Sequence, residues 1–278
     1  LDAFFFDFNF LKDSEFDKDV MIKRFAEIVN YVIKEQNIDM SQKKIMLISH
    51  ESLHSGSDYF GLRTKEQAYR LKQVFPIIIG IRNQIKMIES NYTNYIHHGG
   101  KLTFNYFFHH SDFYNLGLKE KLKYDGLIDL YFEYFKKERV HILIFEQVFS
   151  RKNLNLNALN SFLNVETRVN YSDIGINKKL SSKSISILRI LNCILVKDFN
   201  LQYRNRLQGR QSYSEKLRWY IIKILKNIEE LKFIPSSKKI HNFINDSEVK
   251  QIEEYFEASN CNLAEQTKIN LRQFGYKY

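Results

Sequence analysis

Pro76-Ile-Ile-Ile-Gly-Ile-Arg-Asn-Gln-Ile-Lys-Met-Ile-Glu-Ser-Asn-Tyr-Thr-Asn-Tyr-Ile-His-His-Gly-Gly100 changes its hydrophobic period in mid-course. Ile77 to Ile81 is a continuous β-branched run, the pattern of a short strand buried on both faces. Beyond it Ile85, Ile88, Tyr92, Tyr95 and Ile96 recur three or four residues apart, which is one face of a helix. Gly99 and Gly100 end that helix, since glycine enters the left-handed conformation without a Cβ clash. Arg82 therefore stands where a buried strand hands over to a helix, and ligands of open α/β sheets bind at the carboxyl ends of strands. Ser90 lies about two helical turns further on and near Arg82 in angle. A guanidinium at the strand end and a hydroxyl on the helix can hold one phosphate together. A solvated arginine at an ordinary strand end fits the same pattern.

Outward from this stretch the chain alternates helix and strand. Asp17 is placed to cap a helix running to about Gln36, with Met21, Phe25, Ile28, Val29 and Val32 on its buried face. Ile45 to Ile48 reads as a strand ending in Ser49-His50-Glu51-Ser52-Leu53-His54, and Thr64 with Gln67 forms a capping box for a helix to about Val74. Strand, helix and strand at this spacing make a βαβ unit with parallel strands. Residues 101–123 are aromatic and irregular, the signature of a long functional loop. A helix over about 125–137, a strand over 140–145 ending at Glu146, and a short helix through Leu156, Leu159, Phe162 and Leu163 follow. From about 176 onward the pattern is helical, and residues 200–228 hold seven Lys or Arg against one acid. Tyr203, Tyr213 and Trp219 interleave with them, superficially like a nucleic-acid surface, but a solvated basic helix face is the simpler reading. No nucleic-acid partner is expected.

The 278 residues, 44% hydrophobic and 15% aromatic, suffice for one large core with an extension. A formal charge of +10 by itself favours an anionic partner: a nucleotide, a sulfated or acidic glycan, nucleic acid or a membrane surface. Cys193 and Cys261 are too few for a disulfide framework and fit a cytoplasmic location. No stretch approaches the roughly 18 apolar residues of a membrane span. The opening Leu1–Leu11 segment carries two aspartates and no basic leader, unlike a signal peptide.

His50-Glu51-Ser52-Leu53-His54 is a literal H-E-x-x-H. A zinc peptidase needs that motif in mid-helix with a third ligand beyond it, whereas here a strand runs into it and Ser55-Gly56-Ser57 breaks any helix behind it. The competing reading places an acid–base group at a strand end. Adjacent His97-His98 and His109-His110 have no ligand spacing and read as structural.

The strand followed by Arg82-Asn83-Gln84-x5-Ser90-x-Tyr92 resembles the 3′-phosphate motif of sulfotransferases that use 3′-phosphoadenosine 5′-phosphosulfate (PAPS). Ile48-Ser49-His50-Glu51-Ser52-Leu53 resembles the Ser-x-Glu-Ser-Leu strand end of the bacterial members. Weaker likenesses follow at 125–135, at 140–146 and at Ser161-Phe-Leu-Asn-Val165, where Asn164 stands in place of the usual glycine. Tyr255-Phe256, Ser259-Asn260, Leu263-Ala264 and Gly275-Tyr276 resemble the family's closing helix and tail. The resemblance spans roughly 45–278, with functional specificity confined to 45–100.

It implies a three-layer parallel α/β sheet of the P-loop type over 1–175, with a helical C-terminal part over 176–278. It implies PAPS as co-substrate and no metal. Arg82 and Ser90 would hold the 3′-phosphate, with Glu51 as first choice of general base and His50 as second. A glycan, lipid-linked glycan or other hydroxyl or amine compound would be the acceptor, met by residues 101–123 and the basic helices. The family's Lys-containing, Gly/Thr-rich loop for the 5′-phosphosulfate has no counterpart here, for Gly56-x4-Gly61 continues Leu-Arg where Lys-Ser/Thr is needed. The expectation is a sulfotransferase lacking its N-terminal phosphate loop. A zinc peptidase and a non-catalytic anion-binding protein stay open as other classes.

Overall fold

A computed structural model describes residues 17–35, 37, 68–70, 77–110, 118–150, 153–154, 156–164, 180–196, 213–230 and 244–278. The chain groups into two compact units, Leu1–Ile81 with Tyr124–Val169, and Arg82–Lys123 with Asn170–Tyr278. The sequence reading divides the chain near 175 instead; the helices of 82–123 side with the C-terminal helices because they pack on them.

In the first unit, α1 (Lys18–Glu35) starts where expected. The Asp17 carboxylate accepts from the Asp19 and Val20 amides at 2.8 and 3.0 Å, satisfying two of the orphan donors of the first turn. Met21 is buried and Phe25, Ile28, Val29 and Val32 are half-buried along one stripe. Strands β1 (Ile77–Ile81) and β2 (Val140–Ile144) pair in parallel, Ile77 opposite Val140 and Ile81 opposite Ile144. Their carboxyl ends therefore lie side by side. Ile79, Ile81, Val140 and Ile144 enter the core, while Gly80 is exposed and Ile77 and Ile78 are half-buried. The continuous apolar run is thus not covered equally on both faces among the described residues, contrary to expectation.

Among the described residues this sheet has two strands. The expected strand 45–48 lies outside them, as does most of the helix expected to follow it. Ala68–Arg70 is helical, and Tyr69 meets Tyr134 edge-on at 6.3 Å. Helix α5 (Tyr124–Tyr134) buries Tyr124, Ile128 and Tyr131. A 3-10 turn (Lys137–Arg139) leads into β2, and a single turn α6 (Phe145–Val148) leaves it. After the two-residue strands β3 (Phe149–Ser150) and β4 (Asn153–Leu154), α7 (Asn157–Leu163) stacks Phe162 on His141 of β2 at 4.9 Å. Asn164, standing where glycine is usual, closes α7 at φ 51° and ψ 52°. Asparagine is the other residue that accepts this left-handed cap, so the substitution keeps the turn.

The second unit is helical. Helix α2 (Gln84–His97) buries Ile85, Ile88, Tyr92 and Ile96, the stripe read from the sequence. Gly99 takes φ 101°, turning the chain so that its amide reaches Ile96 O at 3.0 Å and the Gly100 amide reaches Tyr95 O at 2.9 Å. Segment 101–123 is not an irregular loop throughout, as the aromatic crowding suggested. Helix α3 (Phe104–His110) places Phe104, Phe107 and Phe108 on one buried face, with Phe104 and Phe107 against Tyr92 at 5.3 and 5.4 Å. Helix α4 (Leu118–Lys121) is a single turn.

Helix α8 (Ser182–Leu195) packs on α2 and on α9 (Tyr213–Glu230). Helix α10 (Asp246–Thr267) opens with a full capping box between Asn245 and Glu248 and buries Ile252, Phe256, Ser259, Asn260 and Leu263. Its end, Lys268 in the left-handed region, leads through a 3-10 turn (Leu271–Phe274) to the tail.

The C-terminal carbonyls of α2 are met by side chains from two later helices. Asn192 Nδ2 donates to Ile96 O and Gly100 O at 2.8 and 2.9 Å, and Arg218 Nε donates to His97 O at 3.0 Å. A cation at a helix C-terminus also opposes the macrodipole. Arg218 is 1% exposed, so this part of the basic stretch is not the solvated face expected for it.

Burial, with Lys226 and Arg218 nearby, pushes the His97 imidazole down to about 4. An unfolded histidine titrates near 6.5, so between these values the unfolded chain holds the extra proton. Stability is therefore expected to be full above about pH 6.5 and to fall as pH drops toward 4. His97 should account for about 1–2 kcal/mol of that fall, allowing for solvent screening of a part-exposed ring. Urea unfolding of the parent and of His97→Gln at several pH values checks this. Identical pH slopes in the two proteins would contradict it.

Candidate functional site

Ile81, the last residue of β1, is 1% exposed, and the chain leaves the strand as Arg82, which is half-buried. Asn83 is the N-cap of α2. Its Oδ1 accepts from the Lys86 amide at 3.3 Å, while its Nδ2 donates to Gly275 O at 2.7 Å. The neighbouring Gln84 is buried. Its Nε2 donates to Asn260 Oδ1 at 2.6 Å, with Leu122 O at 3.5 Å, and Asn260 Nδ2 in turn donates to Lys277 O at 3.1 Å. Every link is an amide with a directional partner, so the turn between strand and helix is tied to α10 and the tail at several points.

The order of these residues explains why the motif folds as it does. Asparagine at position 83 can be both N-cap and tether because its side chain carries an acceptor and a donor. Glutamine at 84 is one carbon longer and reaches the facing helix. The cleft beside them, bounded by Asn83, Gln84, Asn260, Lys277 and Glu253, is about 10 Å³ and admits roughly one water molecule. Lys277 and Glu253 pair across it at 3.4 Å. The amide groups of the motif thus serve the fold, and this cleft does not admit a nucleotide.

Arg82 and Ser90 are the residues that the sequence reading assigns to a phosphate. Ser90 is half-buried in the second turn of α2. It stands seven residues past the N-cap, about 10 Å along the axis and within about 20° of Asn83 in angle. Arg82 precedes the N-cap, at the end of α2 where the helix dipole is positive, and Ser90 lies mid-helix, beyond the first turn to which that field extends. No acidic residue stands in the first turn of α2.

His50, Glu51 and His54 lie outside the described residues. Glu146, expected at a strand end, sits half-buried in α6 directly after β2. Among the described residues no three His, Cys, Asp or Glu side chains are grouped as metal ligands. In the 101–123 segment, Glu120 accepts from Tyr255 Oη at 2.5 Å and from Lys123 Nζ at 3.1 Å. The Tyr255 hydrogen bond is the main cause holding Glu120 below the usual carboxylate range. Burial, reinforced by the same bond, raises Tyr255. Lys119 and Lys123 lie over the Phe108 and Tyr255 rings at 4.5 and 4.9 Å.

Sequence reasoning missed the tether. Its two halves, Asn83-Gln84 and Asn260 with Gly275, are both singled out in the sequence, as a nucleotide motif and as a family-like tail. Nothing local pairs them. The available signal was a buried-face position in each helix, 84 and 260, occupied by an amide where an apolar residue would satisfy the period. No protein-family model matches the chain, and no match was found among curated proteins or solved structures.

Proposed function

We propose that this chain is a PAPS-dependent sulfotransferase, built on a three-layer parallel α/β sheet with a helical C-terminal part and acting in the cytoplasm. No helix among the described residues is long and apolar enough to cross a membrane. The observation that carries the reading is the position of Arg82 directly before the capped N-terminus of α2, where the helix dipole is positive. A phosphate held there would meet a guanidinium and a positive helix end, with Ser90 as a further ligand on the strength of the resemblance. The tether through Asn83, Gln84 and Asn260 supports the reading by holding the turn rigid, which an electrostatic clamp requires.

The reaction is in-line transfer of a sulfuryl group. The bond from sulfur to the 5′-phosphate oxygen breaks, a bond to the acceptor oxygen or nitrogen forms, and the acceptor's proton passes to Glu51, with His50 as the alternative base. Adenosine 3′,5′-bisphosphate leaves. As in phosphoryl transfer, positioning and charge neutralisation carry the rate. The acceptor, a carbohydrate or similar hydroxyl compound, falls to segment 101–123, where Glu120 and the partly exposed Tyr255 ring are paired.

Titration calorimetry with adenosine 3′,5′-bisphosphate tests this. The parent should bind it and discriminate against adenosine 5′-monophosphate, which lacks the 3′-phosphate. Arg82→Ala should weaken the bisphosphate by about tenfold to a hundredfold and leave the monophosphate unchanged. Equal affinity of parent and variant for the bisphosphate would remove Arg82 from the site, and with it the reading.

A further inference from the structure

Helix α8 is apolar on both sides, burying Ile185 and Leu188 while leaving further isoleucines in water. Ser184 and Asn192 are fully buried against the unit, whereas Ile187, Ile190 and Ile194 are exposed, Ile194 by 75%. At 100° per residue these three isoleucines and Lys183 fall within about 60° of one another, on the side opposite the buried face. Helix α9, packed on α8, repeats the pattern. Arg218, Ile222 and Leu225 are buried, while Lys216, Trp219, Tyr220, Lys223 and Ile224 form an exposed stripe, Tyr220 at 64% and Trp219 at 40%. Scattered exposed apolar residues are ordinary, but an apolar stripe on each of two packed helices is not.

The charges decide what covers them. Helix α8 contains no Asp or Glu, and neither does α9 between Lys216 and Ile228. Every charged side chain on the two exposed stripes is a lysine. A second copy of this chain, paired through the same face, would set lysines mainly against lysines, with glutamates only at the two ends of α9. Isoleucine beside tryptophan and tyrosine, flanked by lysine, is instead the composition of a helix lying in a bilayer interface. The rings sit at the headgroup level, the lysine stems extend along the apolar surface, and their ammonium groups reach lipid phosphates and carboxylates.

We propose that the exposed faces of α8 and α9 bind the surface of an anionic lipid bilayer, holding the protein there peripherally. The site stands apart from Arg82 and does not depend on the nucleotide chemistry.

Trp219 is the chain's single tryptophan, so its fluorescence reports on this face alone. Phosphatidylcholine vesicles with roughly one-third phosphatidylserine should sediment the protein and move its emission to shorter wavelength. High salt or pure phosphatidylcholine should abolish both effects. Lys223→Gln should weaken partitioning about fivefold. The pair Ile190→Ser and Ile194→Ser should weaken it about tenfold or more while leaving the melting temperature unchanged, since both positions are exposed. Absence of binding to the anionic vesicles would overturn the proposal, as would equal binding to neutral ones. A dimer in sedimentation equilibrium that the isoleucine changes disperse would assign the face to a second copy and overturn it too. Tighter binding to polyglutamate than to the vesicles would likewise overturn it, assigning the face to an acidic protein.

Discussion

Glu51→Gln is expected to slow sulfuryl transfer by at least about a hundredfold while leaving affinity for adenosine 3′,5′-bisphosphate nearly unchanged. A hydroxyl attacking sulfur must shed its proton, and a positioned base contributes typically about 10²–10⁴-fold. Glutamine keeps the shape and most of the hydrogen bonding of glutamate but cannot take the proton. A fall in kcat with unchanged nucleotide binding is therefore the signature of a lost base, whereas a fall in both would signal a damaged fold. His50→Ala is the companion variant. If it abolishes turnover while Glu51→Gln does not, the base is His50. If neither change affects turnover, the strand-end assignment fails. The Arg82→Ala titration reads a different event, phosphate binding, so the two experiments fail independently.

What could be read from the chain is what is encoded within a turn or two. The switch of period at Ile81 gives β1 and α2, Asp17 gives the start of α1, and Gly99 gives the end of α2, because each depends on the backbone preference of neighbouring residues. Segment 101–123 was misread because its density of aromatic residues hid the spacing of Phe104, Phe107 and Phe108, which is helical. Arg218 was read as solvated because a basic run usually is. Its burial follows from a partner, His97 O, 121 residues earlier in the chain. The same holds at the candidate site, where Arg82 and Ser90 are a proposal from spacing and the bond from Gln84 to Asn260 spans 176 residues. The isoleucines of α8 carried a mixed signal, since the helix is apolar nearly all round and only packing tells which side is left open.

The largest stability effect is expected at Asn192, where a change of one atom reverses the electrostatics. The side chain is fully buried, and its amide nitrogen donates to both Ile96 O and Gly100 O at the end of α2. Asn192→Leu removes both donors. Ile96 O keeps the Gly99 amide as a partner, so the cost falls mainly on Gly100 O, and about 1–3 kcal/mol is expected. Asn192→Asp is closer in shape yet should cost more, about 3–5 kcal/mol at neutral pH, because a buried ionised carboxylate would face two carbonyl oxygens at hydrogen-bonding distance. To fold, the aspartate must hold a proton that it loses near pH 3.9 in the unfolded chain, so the folded variant binds more protons than the unfolded one above that pH. Its stability relative to the parent should therefore decline as pH rises from about 4, opposite in sign to the His97 dependence of the parent. Urea unfolding of both variants across that range measures this. An aspartate variant as stable as the leucine variant at neutral pH would mean that residue 192 does not sit between those two carbonyls, and the packing of α8 on α2 would have to be redrawn.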